Sequence, residues 1–173
     1  MFRRKIVYMI GFMGSGKTTA GKKLASSLGW SFIDLDRKIE ESLEMSIPEI
    51  FEKLGEEHFR ETEAELLRFY SKKENTVLST GGGVPCFGDN MQFMLDTGLT
   101  IYLKLTPDQL VSRLAGSSDA RPLLKGLKGE GLLAYVQDKL REREPFYEKS
   151  EIKTDGFSAD IPSIVKAVKN SFV

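Results

Sequence analysis

The segment Gly11-Phe12-Met13-Gly14-Ser15-Gly16-Lys17-Thr18 places glycines, an amine and a hydroxyl at the spacing Gly-x-x-x-x-Gly-Lys-Thr. Glycines let a loop wrap so tightly that several backbone N–H groups point into one concavity, where a Cβ would strike a phosphate. A helix starting near Lys17 adds the positive end of its dipole. In such a loop the lysine reaches the β and γ phosphates of a nucleoside triphosphate, and the Thr18 hydroxyl is placed to ligand Mg²⁺. Gly14, Ser15, Gly16, Lys17, Thr18 and Thr19 are therefore the expected ATP contacts. By composition alone the four fixed positions would align by accident in roughly one chain of this length in a hundred. The implied chemistry is movement of a phosphate to a small acceptor.

A transfer also needs groups for the acceptor. Asp34 and Asp36 follow an apolar run and, on a strand, would share a face. One carboxylate could take the proton of an attacking hydroxyl while the other holds the metal's waters; equally, the pair could cap the next helix. Arg60 fits a cation for an acid group, but also a solvated helix face with i,i+3 and i,i+4 ion pairs. His58 beside it reads as surface. Arg143 is either part of a site or favourable charge at a helix C-terminus. Gly81-Gly82-Gly83 either exposes backbone N–H groups to a ligand or makes a tight turn. Arg121, followed by Pro122 in the glycine-rich stretch 116–131, suits a lid that closes a cation over phosphates and excludes water.

Those residues need a scaffold. Lys5 to Ile10 reads as a buried strand ending at glycine. Ala20, Leu24 and Leu28 then form one helical stripe that Gly29 stops. Trp30 to Ile33 is a second strand. Ser46-Ile47-Pro48-Glu49 has the form of a capping box and opens a helical stretch carrying Ile50, Phe51 and Leu54, followed by a charged helix from Glu56 to Tyr70. Thr76 to Ser79 and Thr100 to Leu103 are further strands, and Thr106-Pro107-Asp108-Gln109 caps another helix. Leu132 to Glu144 is helical, Ser150 to Thr154 a weak edge strand, and Ile161, Ile164, Val165 and Val168 mark a closing helix. Strands alternating with helices imply a mostly parallel sheet covered on both faces. Ligands collect beyond the carboxyl ends of such strands, so the phosphate loop, Asp34/Asp36 and the triple glycine should crowd one edge.

The chain of 173 residues, with neither repeat nor linker, reads as one domain, with the phosphate loop at 11–18, an acceptor region at about 34–63 and a lid at about 116–131. Twenty-five basic residues balance twenty-five acidic ones, which argues against a general nucleic-acid or membrane-surface binder. The single Cys86 cannot form an internal disulfide, and no stretch approaches a membrane span, so a cytoplasmic protein is expected. Cys86 and Trp30 read as packing residues.

Taken together, Gly11 to Thr19, Phe32-Ile33-Asp34-Leu35-Asp36, Gly55-Glu56-Glu57 with Phe59-Arg60 and Glu63, Thr80-Gly81-Gly82-Gly83, Arg121-Pro122-Leu123-Leu124, and Arg143 ahead of Pro145 and Tyr147 resemble shikimate kinase over nearly the whole chain. The resemblance implies an α/β fold of the P-loop NTPase, nucleoside-monophosphate-kinase-like type, a three-layer sandwich on about five parallel strands. It implies phosphorylation of shikimate by ATP with Mg²⁺; a monomer is expected, although nothing in the residues fixes the oligomeric state. It implies Asp36 as the acceptor-binding base and Asp34 as the carboxylate that holds Mg²⁺ through water. Arg60 and Arg143 would grip the substrate carboxylate, Gly81 to Gly83 would meet the substrate through backbone, and Arg121 would join Lys17 on the phosphates. Arg113 lies near an adenine-flanking arginine of the family at a different spacing and stays unassigned. Two rivals remain: a related small kinase acting on gluconate or a nucleoside monophosphate, and a nucleotide-binding regulatory module without transferase activity.

Overall fold

The run Ile6–Ile10 is buried at every residue, as a strand covered on both faces must be. In the computed structural model, which describes residues 5–116, 124 and 126–172, this strand (β1) is central. It pairs in parallel with β3 (Thr76–Ser79) on one side and β4 (Leu99–Lys104) on the other. The strands β2 (Ser31–Asp34) and β5 (Ile152–Asp155) form the edges of a five-stranded parallel sheet of order β2-β3-β1-β4-β5.

Alternation along β1 divides the core in two. Val7 and Met9 point to the face covered by α1 (Lys17–Leu28) and α7 (Ile161–Ser171), where Leu24, Ala25, Ile164 and Val168 pack. Ile6, Tyr8 and Ile10 point to the opposite, larger core. That side is covered by α2 (Leu35–Leu43), α3 (Ile47–Tyr70), α4 (Asn90–Thr97), α5 (Pro107–Ala115) and α6 (Gly129–Tyr147). A short 3₁₀ turn, Val84–Cys86, follows the triple glycine.

Both expected capping boxes form. The Ser46 Oγ accepts from the Glu49 N–H at 3.4 Å while Glu49 accepts from the Ser46 N–H at 2.9 Å. Thr106 and Gln109 do the same at 3.3 and 3.0 Å. The two stretches separated by Gly55 join as α3, but Gly55 is not helical: its φ of 82° and ψ of 167° bend the helix into two arms. Both arms face one cavity, Pro48 and Phe51 from the first and Phe59, Arg60 and Glu63 from the second. Leu54, just before the bend, is 40% exposed and contributes little to the core.

That bend depends on glycine. No atom lies within 4 Å of where a Cβ at Gly55 would sit, so a substitution meets dihedral strain and no clash. Gly55→Ala should destabilise the fold by about 1–3 kcal/mol through backbone strain alone. Urea unfolding checks this, and an unchanged midpoint would show that α3 tolerates a straight path.

Candidate active site

The loop after β1 folds as its glycines require: Gly14 and Gly16 have φ of 78° and 90°, in the region L side chains avoid. Lys17 is 9% exposed, and its amine donates to the carbonyls of Gly11 and Phe12 at 2.7 and 2.9 Å. The buried Ser15 Oγ has no hydrogen-bond partner. A cradle with an orphaned hydroxyl and a lysine held on the loop's own carbonyls fits an anionic ligand.

Thr18 and Asp34 come together across this cradle, the hydroxyl donating to the carboxylate at 3.0 Å. Asp34 ends β2, and its other oxygen accepts from the Arg37 N–H at 3.3 Å, capping α2. The helix-capping alternative is thus correct for Asp34 alongside its place in the site. Asp36 does not share a strand face with it, because the strand ends at Asp34 and Asp36 lies in the first turn of α2. The two still meet in space, since the charge of Asp34 acts on Asp36.

The triple glycine after β3 has a steric reason that the sequence conceals. A Cβ at Gly81 would lie 2.7 Å from Asp36 Oδ1, one at Gly82 would lie 3.2 Å from Arg143 Nη1, and one at Gly83 would lie 2.6 Å from Arg60 Nη1. Each glycine leaves room for one charged group. The turn is pinned at both ends: the Thr80 hydroxyl donates to the Met9 carbonyl at 2.9 Å, and the Tyr147 hydroxyl donates to the Gly82 carbonyl at 2.6 Å. Tyr147, fully buried against Tyr102, thereby joins α6 to the turn, with Arg143 one helical turn earlier.

Two cavities result. A larger one of about 840 Å³ runs along the phosphate loop past Thr18, Asp34, Asp36 and Arg113 to Gly156, Phe157, Ser158 and Ala159. A smaller one of about 300 Å³ is bounded by Met13, Asp36, Glu40, the two arms of α3, the triple glycine and Arg143. Met13, Asp36, Gly81 and Gly82 border both.

Comparison with known proteins then decides the family. The sequence profile described as Shikimate kinase matches residues 13–170. A shikimate kinase of Parabacteroides distasonis is 44% identical over 169 residues, 98% of each chain. The chain belongs to the shikimate kinase family. The crystal structure of the shikimate kinase from Bacteroides thetaiotaomicron superposes with a TM-score of 0.88 at 39% identity, over 96% of this chain and 97% of that one. The shikimate kinase from Acinetobacter baumannii, solved in complex with shikimate, superposes with a TM-score of 0.84 at 31% identity, over 97% and 92%.

As a shikimate kinase family member the chain is a kinase, and its phosphate donor is ATP with Mg²⁺. Among the described residues no cluster of three or more His, Cys, Asp or Glu could cage a metal alone. Thr18 and Asp34 instead form a sparse oxygen pair beside the phosphate cradle, the donor set suited to an ion that keeps waters and phosphate oxygens in its shell.

Arg121 and Pro122, with half of the 116–131 stretch, lie outside the described residues, and the stretch ends inside α6, which starts at Gly129. Arg113, left unassigned by sequence, is placed by structure: its guanidinium donates to Ser15 O at 2.9 Å, Gly156 O at 3.0 Å and Phe157 O at 3.1 Å. It ties the phosphate loop to the loop after β5 at the far end of the larger cavity. His58 is exposed, as expected.

Glu63 carried no role in the sequence reading beyond its place in a motif. Its side chain is 1% exposed and pairs with Arg60 Nη1 at 2.8 Å. Burial outweighs the attraction of Arg60 and pushes its pKa up to about 7, with Asp36 raising it further and Arg143 opposing. Asp36 keeps one side open to the cavities but is otherwise enclosed, and burial, then Asp34, raises its pKa against the pull of Lys17 and Arg60.

The sign for Glu63 follows from proton counting. Between its ordinary value of 4.5 and about 7 the folded chain retains a proton that the unfolded chain has released. The stability this group contributes is complete below 4.5 and is lost as pH rises through about 7. Glu63→Gln should remove that dependence. Wild type should lose on the order of 3 kcal/mol relative to the variant across this window, read by urea unfolding at several pH values. Parallel curves would show that Glu63 stays ionised in the fold.

Proposed function

We propose that the chain transfers the terminal phosphoryl group of MgATP to a hydroxyl of shikimate, as one kinase domain spanning 1–173 and acting as a cytoplasmic monomer. One observation carries the reading: Asp36 borders both the larger and the smaller cavity, beside the Thr18–Asp34 pair. A carboxylate at the junction of a donor and an acceptor site is where a hydroxyl proton must leave. Its raised pKa brings it closer to the working pH of a general base.

The acceptor cavity has the chemistry of a hydroxylated acid. Arg60 and Arg143 supply planar cationic forks that can take a carboxylate through two N–H groups each. Arg60 lines this cavity and gives Nη1 to Glu63, so the rest of its fork has capacity left for a ligand. Backbone of Gly81 to Gly83 and the apolar arm of Ile47, Pro48 and Phe51 border the same space. Lys17, with Arg121 as the sequence resemblance implies, stabilises charge on the phosphates; Thr18, and Asp34 through water, would hold a Mg²⁺ that would supply charge neutralisation at the phosphate oxygens. Catalysis is then chiefly positioning and charge stabilisation. For location, no helix among the described residues is long and apolar enough to cross a membrane.

ADP release should depend on shikimate and be absent with gluconate or a nucleoside monophosphate; equal release with any of these would overturn the substrate. Asp36→Asn should keep ATP binding while losing transfer, and near-normal turnover would remove Asp36 from the base role. Arg60→Ala should raise the KM for shikimate on the order of a hundred-fold with ATP affinity barely changed.

A further inference from the structure

The Arg60 guanidinium is held by more than charge. Its Cζ lies 3.9 Å from the centroid of the Phe87 ring and 5.0 Å from that of Phe59. Phe59 is its neighbour in α3, so that contact comes with the helix. Phe87 arrives from elsewhere, in the segment that follows the triple glycine. Gly83, four residues before it in sequence, leaves the space that Arg60 Nη1 and Nη2 occupy.

This segment is fastened across α3. The Asn90 side chain donates to the Val84 carbonyl at 3.1 Å, closing the turn that carries Phe87. Asn90 Oδ1 in turn accepts from Arg68 at 3.0 Å, and Asp89 pairs with the same guanidinium. Arg68 stands about two turns beyond Arg60 on α3, and its Cζ lies 4.9 Å from the Phe93 ring centroid. Residues 83–93 thus form a strap along α3, tied at Arg68 and pressed against Arg60.

Phe87 is 37% exposed and does not border the acceptor cavity. Its ring is neither a core residue nor a substrate contact. An aromatic face attracts a guanidinium without using any of its N–H donors, so the fork stays available for a carboxylate. The salt bridge to Glu63 fixes one edge of Arg60 at 2.8 Å, while Glu56 reaches Nε only at 3.6 Å, an ion-pair distance that makes no hydrogen bond to fix the plane.

We propose that Phe87 is a positioning residue for acceptor binding, its ring setting the plane of the Arg60 guanidinium so that the fork meets the substrate carboxylate. The inference rests on the reading of Arg60 as a carboxylate anchor, and the experiment separates the two. Steady-state kinetics are measured for Phe87→Ala, Phe87→Leu, Phe87→Trp, Arg60→Ala and the double variant, with thermal unfolding of each. Phe87→Ala should raise the KM for shikimate about three- to twenty-fold while kcat and the KM for ATP stay within about two-fold. Phe87→Leu, apolar but without a π face, should behave like Phe87→Ala, and Phe87→Trp should restore wild-type behaviour. In the Arg60→Ala background, Phe87→Ala should add nothing. If Arg60→Ala leaves the KM for shikimate unchanged, the anchor reading falls and the inference with it. If Arg60→Ala raises that KM while Phe87→Ala does not, or if Phe87→Leu rescues as well as Phe87→Trp, the positioning role alone is overturned.

Discussion

The hydrogen bond from Arg60 to the Glu63 carboxyl group, 2.8 Å long, all but excluded from water and an ion pair once Glu63 gives up its proton near pH 7, is the contact on which the acceptor half of the molecule depends. Taking a carboxylate out of water is costly unless a cation meets it with good geometry. Burial of Glu63 therefore fixes where Arg60 must lie, and Arg60 in turn fills the space over Gly83. The same crowding recurs along the turn, with Asp36 at Gly81 and Arg143 at Gly82. Three charged side chains from three helices thus converge on a backbone that has no side chains of its own.

The donor and acceptor halves were unequally legible in the sequence, for a physical reason. The phosphate cradle is made by one contiguous segment acting through its backbone, so its glycines, lysine and threonine are visible as a spacing. The strands, the two capping boxes and the closing helix were legible likewise, since each follows from local periodicity or a local side-chain bond. The acceptor half is assembled from α2, α3, the turn after β3 and α6, and no local signal says that Arg60 and Gly83 will touch. Asp36 and the triple glycine were legible as candidates by their place after strands, but the joint role of Arg60 and Arg143 was readable only through the family pattern.

What stayed hidden has the same origin. Asp36 was placed on a strand because alternation was extended past the point where Asp34 caps a helix. The helix Asn90–Thr97 went unnoticed because it is short and lacks a capping bond: the Asp89 carboxylate at its start is taken by Arg68. The tie made by Arg113 joins residues 98 and 43 positions away in sequence. Tyr147 donates to a carbonyl 65 positions away. Such contacts exist only once the sheet has brought the loops together.

The central place of β1 bears on how the chain is born. Synthesis runs from the N-terminus, so Ile6–Ile10 is the first of these five strands to leave the ribosome, yet its two partners are Thr76–Ser79 and Leu99–Lys104. Until about eighty residues have been made, an apolar segment has nothing native to pair with, and its second edge stays open until Leu99–Lys104 follows. The strand that carries the phosphate loop is thus the first made and among the last satisfied. That delay leaves an apolar strand with both edges open for longer than any other strand of the sheet.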